Sequence, residues 1–358
     1  MQSIDIFDHF YRGKRVLVTG HTGFKGSWLS IWLHELGAEV TGVAKDPFTE
    51  RDNYVLTGLK DKITDLRGDI RDGELMKRIF REHRPEIVFH LAAQPLVRLS
   101  YELPVDTYET NVMGTIQVLE AIRATESVKA GVMVTTDKCY ENKEQLWGYR
   151  ENEPMGGYDP YSSSKGAAEI AISSWRRSFF NPADYHKHGK SIASVRAGNV
   201  IGGGDWALDR IIPDCIKALE AGNPIEIRSP RAIRPWQHVL EPLSGYLTLA
   251  RKMWEDPVNY CEGWNFGPAA ESIRTVWDVA AKVVENYGSG RLKDVSDPDA
   301  LHEAKLLMLD ISKARFQLGW EPRMDIDQCV ALTVDWYKRY KQTPVYDLCI
   351  RQIEAYLK

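Results

Sequence analysis

Tyr161 and Lys165 stand four residues apart in the segment YSSSK. On a helix this spacing puts both side chains on one face. A phenol with a pKa of about 10 is a poor base at neutral pH, but a neighbouring ammonium group favours the phenolate. The pair therefore predicts a base that accepts a hydroxyl proton. The alternative is a tyrosine and a lysine in contact on the protein surface.

A second polar group follows the apolar run VMV and comprises Thr135, Thr136, Asp137 and Lys138. If VMV is a strand of an open α/β sheet, these side chains project from its carboxyl end, where ligands bind in such sheets. An acid beside an amine can protonate a leaving hydroxyl and remove a carbon-bound proton. The alternative is a turn in which Asp137 caps the next segment.

A glycine-rich turn, VLVTGHTGFKGSWL, contains Gly20, Gly23 and Gly26. It follows an apolar run and opens a helical pattern, so its glycines would let a pyrophosphate approach the backbone and the N–H groups of a helix N-terminus. The spacing GxxGxxG is a variant of the usual GxGxxG fingerprint. We predict a nicotinamide dinucleotide site here. The alternative is a turn that only packs.

The acid that usually binds the adenosine ribose lies about 20 residues beyond the glycines. The expected position is Ala44, which is followed by Lys45 and Asp46. Asp46 could bind a ribose hydroxyl, whereas Lys45 could accept a 2′-phosphate, and we favour NAD over NADP. Asp69 in GDIRD either faces the adenine or caps a helix before Glu74.

Three arginines, Arg228, Arg231 and Arg234, crowd into the segment RSPRAIRPWQH. Because guanidinium forks suit a diphosphate, we predict a local anion site there. The alternative is a solvated loop. The nine histidines form no metal-binding motif, and we expect them to face solvent.

The elements that must position these residues follow from the hydrophobic pattern. Over the first 200 residues, short apolar runs alternate with helical periodicity, which predicts an α/β fold with a Rossmann-type doubly wound parallel sheet. The predicted strands are Arg15 to Gly20, Glu39 to Ala44, Glu86 to Ala92, Gly131 to Thr136 and Ser191 to Arg196. A stripe at helical spacing is predicted to lie on one helical face, in the core or at a subunit contact, and consists of Val105, Tyr108, Val112, Ile116, Leu119 and Ile122.

Beyond about residue 200, glycines and prolines interrupt this pattern. We therefore expect a dinucleotide-binding domain over residues 1–200 and a smaller, mostly helical α/β substrate domain over residues 201–358, with some segments crossing back to the first. A length of 358 residues is consistent with two domains.

Composition excludes several classes of function. The net charge is −4, which argues against a nucleic-acid partner. Five cysteines at wide spacings predict neither a disulfide framework nor a metal site. No apolar run approaches the length of a membrane span, and the first residues lack a signal-peptide pattern. We expect a cytoplasmic protein that does not associate with membranes.

Taken together, the segments TGHTGFKG, GDIRD, HLAAQ, NVMGT, TTDKCY, YSSSK, RAGNVIGGGDW, RPWQHV and LDISKARFQLGW resemble the extended short-chain dehydrogenase/reductase family of nucleotide-sugar enzymes over essentially the whole chain. DKCYEN, GGGDWALDRIIPD and RPWQHVLEPL look most like the branch that removes water from CDP-glucose. The resemblance implies a CDP-glucose substrate, bound NAD, a homodimer or homotetramer, and a place in deoxysugar synthesis for lipopolysaccharide O-antigen.

The resemblance also implies roles for individual residues. Tyr161 would be the base at the sugar C4 hydroxyl, with Thr136 on the same oxygen and Lys165 lowering the pKa of Tyr161. Asp137 would protonate the leaving C6 oxygen. The NAD site would comprise Gly20, Gly23, Phe24, Gly26, Asp46, Asp69, Ile70, Leu91, Ala92, Ala93, Asn111, Thr135, Tyr161 and Lys165. The substrate site would comprise Gln94, Asn199, Arg210 and Arg234.

One position departs from the pattern of related dehydratases, in which a glutamate follows the acid and is the proposed base at C5. Here that position is Lys138, and a desolvated lysine is one possible substitute. A 4-epimerase on the same scaffold needs the same Tyr161 and Lys165 but no acid and base at C5 and C6. A catalytically silent NAD-binding sensor is the third hypothesis.

Overall fold

The computed structural model describes residues 4–297 and 306–358. Its strands are β1 (Arg15–Thr19), β2 (Glu39–Ala44), β3 (Thr64–Arg67), β4 (Ile87–His90), β5 (Ala130–Val134), β6 (Ser191–Ala197), β7 (Val200–Ile201), β8 (Ile225–Ile227), β9 (Ile233–Arg234), β10 (Gln237–His238), β11 (Gly263–Phe266), β12 (Arg274–Thr275) and β13 (Leu292–Asp294). Its helices are α1 (Phe24–Glu35), α2 (Asn53–Leu56), α3 (Gly73–His83), α4 (Val97–Glu102), α5 (Pro104–Tyr108), α6 (Gly114–Ala124), α7 (Pro160–Ser178), α8 (Tyr185–His188), α9 (Ile211–Glu220), α10 (Leu240–Glu255), α11 (Val276–Tyr287), α12 (Ile326–Arg339) and α13 (Val345–Tyr356).

Seven strands form one parallel sheet in the order β11-β6-β5-β4-β1-β2-β3. The chain order reverses between β1 and β4, which opens a crevice at the carboxyl ends of these two strands. The predicted doubly wound Rossmann-type fold is confirmed. Three pairs of short strands, β10 with β7, β12 with β9 and β13 with β8, lie outside this sheet.

Both faces of the sheet are covered, as the continuous apolar runs require. In β1, Val16 and Val18 belong to one buried cluster with Trp28 and Trp32 of α1. Leu17, between them, points to the other cluster, which includes Phe80 of α3. This alternation follows from the two-residue period of a strand. The sheet is therefore a buried, rigid platform for the residues at its carboxyl edge.

The five predicted strands are present, with ends that differ by one or two residues. Two strands of the sheet were not predicted. β3 reads TDLR and is an edge strand with little buried surface, so its sequence carries no apolar run. β11 reads GWNF and lacks β-branched residues, although it is buried against β6. β11 also shows that a segment beyond residue 200 completes the sheet.

The predicted stripe does not lie on one helical face. A wider π-type turn over Glu109–Met113 separates α5 from α6 and rotates the second half relative to the first. Leu119 and Ile122 are fully buried, whereas Val105 is 70% exposed. The prediction of a single helical face was wrong because it assumed an uninterrupted helix, whereas Leu119 and Ile122 lie in the core as predicted.

Candidate active site

A cavity of about 1740 Å³ lies along the carboxyl edge of the sheet, at the crevice between β1 and β4. Its lining comes from both halves of the sequence, and α1, β5, α7 and the segments around β7 and β9 all contribute. The lining includes every predicted site residue except Asn111 and Arg231. The fold therefore brings the separate sequence motifs to one place.

The glycine-rich turn directly follows β1 and lines one part of this cavity. Gly20 has a φ of +78°, and a Cβ there would lie 2.8 Å from the Ala92 nitrogen. A Cβ on Gly26 would lie 2.1 Å from the Gly20 carbonyl oxygen. α1 starts from Gly23 with neither a side-chain cap nor an acidic residue in its first turn. Its first N–H groups can therefore bind an anion, and the tight cradle fits a dinucleotide pyrophosphate.

Charged residues beyond β2 and β3 form the next part of the cavity. Asp46 is mostly exposed and accepts a hydrogen bond from Arg67 Nε at 3.0 Å. Asp69 contacts Lys45 Nζ at 3.0 Å and Arg71 Nη2 at 2.6 Å. Burial alone would raise the pKa of Asp69, but the hydrogen bonds from Arg71 and Lys45 hold it far below the usual range. Asp69 is therefore an ionised group in the cavity wall.

The alternative role of Asp69 as a helix cap is wrong. Asp72 is the N-cap of α3, and its carboxylate accepts a hydrogen bond from the Leu75 nitrogen at 3.0 Å.

The loop after β4 supplies Leu91, Ala92 and Ala93 to the lining, together with Gln94. Asn111 lies behind this loop, fully buried, and its amide nitrogen donates to the Gln94 carbonyl and to Ser164 Oγ. Gln94 in turn donates to Thr107 Oγ1 at 2.9 Å. Asn111 thus holds the loop in place and does not face the cavity. Ile70 and Phe24 complete the apolar lining near the glycine turn.

The end of β5 forms the central wall. Asp137 is 1% exposed, and its Oδ1 accepts from Thr136 Oγ1 at 3.0 Å. Asp137 Oδ2 has no hydrogen-bond partner among the residues that the structure describes. Burial raises the pKa of Asp137, against the effect of Lys138. The alternative role of Asp137 as a cap is wrong, because Thr136 Oγ1 accepts the hydrogen bond from the Lys138 nitrogen.

α7 presents Tyr161 and Lys165 to the same wall, and both are buried. The helix begins at Pro160 and is capped by Asp159, which accepts from the Ser162 nitrogen. Burial raises the pKa of Tyr161 to about 12, while a hydrogen bond with Thr136 acts to lower it. Burial lowers the pKa of Lys165 to about 8.

Lys165 Nζ donates to the Val134 carbonyl at 3.3 Å, at the end of β5. Thr135 also lines the cavity, but its hydroxyl donates inward to Glu169 Oε1.

The opposite wall comes from the second half of the chain. Asn199 Oδ1 is buried and has no hydrogen-bond partner within the described part of the chain. Arg210 Nη1 donates to Asp205 Oδ2 at 2.8 Å. Arg234 is only 8% exposed. Each of these three side chains belongs to a residue that lines the cavity, so the wall offers an amide and guanidinium groups to a polar, anionic ligand.

The three clustered arginines do not all line the cavity. Arg228 lines the cavity and donates to Asp209 Oδ1 at 2.6 Å, and Arg234 lines it from β9. Arg231 is exposed and is not part of the lining. The predicted anion site thus has two of its three arginines, and Arg210 is a third cation from another segment.

Lys25 is a cavity residue that sequence reasoning missed. It stands between Phe24 and Gly26 in the glycine motif, and its Nζ donates to the Tyr246 hydroxyl at 3.2 Å. Burial, together with the charges of Arg210 and Lys165, lowers the pKa of Lys25 to about 7. The available signal was a lysine in the first turn of the helix that opens onto the crevice.

The histidines are not generally exposed, contrary to expectation. His21, His90 and His238 are buried. His90 Nδ1 contacts Thr19 Oγ1 at 2.7 Å, and its other nitrogen contacts Thr115 Oγ1 at 3.0 Å. Burial lowers the pKa of His90 to about 3. Such partners are distant in sequence, so no local pattern marked them.

Two further features concern metals and membranes. In the described ranges, 4–297 and 306–358, no group of three or more His, Cys, Asp or Glu side chains could hold a metal ion. A search of the same ranges for a helix long and apolar enough to cross a membrane found none. The five cysteines are buried free thiols.

Comparison with known proteins places this geometry in a family. Residues 17–333 match the model of the family described as GDP-mannose 4,6 dehydratase. CDP-glucose 4,6-dehydratase of Salmonella typhimurium is 52% identical over 98% of both chains. dTDP-glucose 4,6-dehydratase of Xanthomonas campestris is 29% identical over 90% of this chain and 92% of its own length.

Two solved structures share the fold. UDP-glucose 4-epimerase of Thermotoga maritima, determined with UDP-glucose, has a TM-score of 0.77 at 26% identity, covering 92% of this chain and all of its own. The dTDP-glucose 4,6-dehydratase DesIV of Streptomyces venezuelae has a TM-score of 0.77 at 23% identity, covering 92% and 99%. The predicted family resemblance is confirmed, and the chain belongs to the GDP-mannose 4,6 dehydratase family of nucleotide-sugar enzymes.

Proposed function

We propose that this chain is an NAD-dependent lyase that converts CDP-glucose to CDP-4-dehydro-6-deoxyglucose and water. The observation that carries the proposal is the wall built by β5 and α7. There, the buried Asp137, whose raised pKa favours the protonated form, shares one cavity with Tyr161 and Lys165. The name of the Salmonella typhimurium relative, at 52% identity, supports CDP-glucose as the substrate.

The residues present fit NAD. The cradle of Gly20, Gly23 and Gly26, in which a side chain at Gly20 or Gly26 would clash with the backbone, would receive the pyrophosphate. Asp69 and Asp46 would face the adenosine end, and Leu91, Ala92 and Ala93 would cover the cofactor from β4. When bound, NAD would accept the hydride of the sugar C4 and return it to C6.

The first proton belongs to the C4 hydroxyl. In our proposal Tyr161 takes this proton, and Thr136 hydrogen-bonds the same oxygen. The raised pKa of Tyr161 shows that burial opposes the phenolate, whereas Thr136 and the charge of Arg210 favour it. Lys165 adds a second cation on the face of α7 that carries Tyr161.

Elimination of water needs an acid and a base on adjacent carbons. Asp137 would give its proton to the C6 oxygen as the C6–O bond breaks, and water leaves. Lys138, as the neutral amine, is our candidate to take the C5 proton, since it follows Asp137 and lines the same cavity. Lys138 is only half-buried, so it is not the desolvated lysine that the sequence offered as one possible substitute.

The diphosphate would lie against the second half of the chain. Arg234 and Arg210 provide charge there, and the side-chain Oδ1 of Asn199, which has no partner among the described residues, can accept a hydroxyl hydrogen bond. Gln94 would close the sugar site from the loop after β4. The division at residue 200 into a dinucleotide-binding and a substrate domain remains part of this proposal, with β11 crossing back to the sheet.

We also propose a homodimer or homotetramer in the cytoplasm. Several large apolar side chains near α5 and α7 are exposed, including Val105 at 70% and Ile170 at 60%. Leu103, Tyr108 and Met113, in or close to α5, are also exposed. Exposed large apolar side chains on elements that pack together support a subunit contact there.

A 4-epimerase is the second candidate, because a UDP-glucose 4-epimerase shares the fold at a TM-score of 0.77. Epimerisation would use Tyr161 and Lys165, but Asp137 would have no role in that reaction. The silent sensor is the third candidate. It predicts that Tyr161→Phe has no effect on the protein's function in the cell.

Mass spectrometry of the product separates these candidates. The purified protein is mixed in turn with CDP-glucose, dTDP-glucose, UDP-glucose and GDP-mannose. We expect CDP-glucose to give a product lighter by one water, without accumulation of NADH. A product of unchanged mass would favour epimerisation, and unchanged sugar in every sample would refute the enzyme hypothesis.

A further inference from the structure

A buried ion pair lies directly behind the catalytic wall. Glu169 follows Lys165 by four residues on α7, so it continues the face that carries Tyr161 and Lys165. Its Oε2 lies 2.8 Å from Arg196 Nη2 on β6. Glu169 is 3% exposed and Arg196 is 4% exposed. Neither residue lines the cavity, and the reaction as proposed does not use them.

The carboxylate of Glu169 is fully engaged. Thr135 Oγ1 donates to Oε1 at 2.5 Å, and Ser194 Oγ donates to Oε2 at 2.8 Å. Burial alone would raise the pKa of Glu169, but the charge and hydrogen bonds of Arg196 lower it. Glu169 is therefore a permanent negative charge next to the end of β5.

Arg196 extends the network away from the cavity. Its Nη1 donates to the Tyr140 hydroxyl at 2.7 Å and to the Glu151 carbonyl at 3.0 Å. The Tyr140 hydroxyl donates to Asn265 Oδ1 on β11 at 2.7 Å. The pair thus joins α7, β6, β11 and the segment that follows Asp137.

Such a pair is poorly explained by stability alone. Removing two charges from water costs several kcal/mol per ion, and apolar residues of equal volume are often as stable. A role in the site is a better explanation, because Lys165 lies four residues before Glu169 on the same helix.

We propose that Glu169 is a positioning residue for the reaction, whose carboxylate keeps Lys165 cationic and fixes the Thr135 hydroxyl at the end of β5. The inference rests on the proposed function, since it assigns to Lys165 a role as a cation beside Tyr161.

The charges around Lys165 support this assignment. Burial lowers the pKa of Lys165, and Glu169 is the largest influence that opposes burial. The Cys139 thiol acts in the same direction, but burial raises its pKa well above the usual value, so it is uncharged. Lys25 on α1 and His90 on β4 also interact electrostatically with Lys165, and burial disfavours the cationic form of both. Glu169 is therefore the main anion that acts on Lys165.

Glu169→Gln tests the proposal through the pH profile of kcat/KM for water loss from CDP-glucose. Without the carboxylate, Lys165 loses its proton at lower pH, so the alkaline limb should move down by about one pH unit. Arg196→Lys disturbs the same pair but keeps a cation beside the carboxylate, so its alkaline limb should not move down. A merely structural pair would change both profiles in the same way.

Glu241→Gln is a matched control. Glu241 is also a fully buried glutamate, but it accepts hydrogen bonds from the Tyr356 hydroxyl and from the backbone nitrogens of residues 323 and 324. It should leave the limb unchanged. If Glu169→Gln does not fold, the double variant Glu169→Gln with Arg196→Met removes both charges, and the same downward shift is expected. Glu169→Asp should restore part of the wild-type limb.

The possible failures are distinguishable. If the wild-type protein releases no water from any nucleotide-sugar, the proposed function is wrong. If the wild-type protein is active and the Glu169→Gln limb coincides with the wild-type limb, or the Arg196→Lys limb moves down equally, the inference about Glu169 is wrong.

Discussion

The cavity wall at the end of β5 and the layer behind it each contain a buried carboxyl group, and the pKa values of the two groups are shifted in opposite directions. Asp137 has one oxygen without a partner in the described chain, and burial raises its pKa. Glu169 is equally buried, but Arg196, Thr135 and Ser194 outweigh burial and lower its pKa. Burial is similar, so the partners decide which carboxyl can carry a proton and which stays charged. The wall is thus suited to proton transfer and the layer behind it to holding the wall in place.

The largest expected effect is that of Tyr161→Phe, which removes the proposed base from the wall. We expect kcat for water loss to fall by about three or more orders of magnitude. The measurement is product formation from CDP-glucose by mass spectrometry. Tyr185→Phe, in α8 and outside the cavity lining, is the matched control and should retain activity. Near-normal turnover by the Tyr161→Phe variant would show that this wall does not supply the base of the reaction.

Asp137→Asn keeps the shape of the wall but removes its acid. Elimination should slow by about two or more orders of magnitude, while oxidation at C4 continues. A single-turnover experiment would show NADH absorbance that persists, because the later step is blocked. An elimination rate equal to that of the wild type would show that Asp137 is not the acid.

Arg234→Gln affects the opposite wall, which binds and does not transfer protons. We expect KM for CDP-glucose to rise by about tenfold or more, with kcat changed little, since a charge-assisted hydrogen bond to the diphosphate is lost. Arg231→Gln, three residues earlier and outside the lining, should behave as wild type. Equal effects of the two substitutions would contradict the assignment of the anion site.

The smallest expected effect is on thermal stability. Its sign tests the comparison between Asp137 and Glu169. Because the folded-state pKa of Asp137 is raised, ionising Asp137 in the folded protein costs free energy as pH rises above the unfolded value. Asp137→Asn should therefore raise Tm by about 1–3 °C at pH 7, and the gain should vanish near pH 4.

Glu169 should show the reverse behaviour. Its pKa is lowered in the folded protein, so its contribution is present at neutral pH and is lost as pH falls. Glu169→Gln should lower Tm at pH 7, since it leaves Arg196 buried without its partner. Differential scanning fluorimetry across pH 4 to 8 is sufficient, and shifts of the same sign for both variants would contradict the comparison.

The sequence predicted those parts of the site that depend on local signals. The glycine turn, the strands beside it and the Tyr161 and Lys165 pair are short patterns whose chemistry and spacing are visible in one segment. Lys25 and Glu169 were also within such segments, but their roles depend on Tyr246 and Arg196, which lie far along the chain. The buried His90 was missed for the same reason. The π-type turn before α6 was not predicted, because its five residues, ETNVM, include no glycine or proline to mark an interruption of the helix.

One labelling experiment tests the central claim most directly. CDP-glucose that carries deuterium at C4 is incubated with the purified protein in ordinary water, and the sugar product is analysed by mass spectrometry and NMR. The proposed function predicts a product lighter by one water, with a 4-keto group and the deuterium at C6. A product of unchanged mass, or one that has lost water but carries no deuterium at C6, would contradict it.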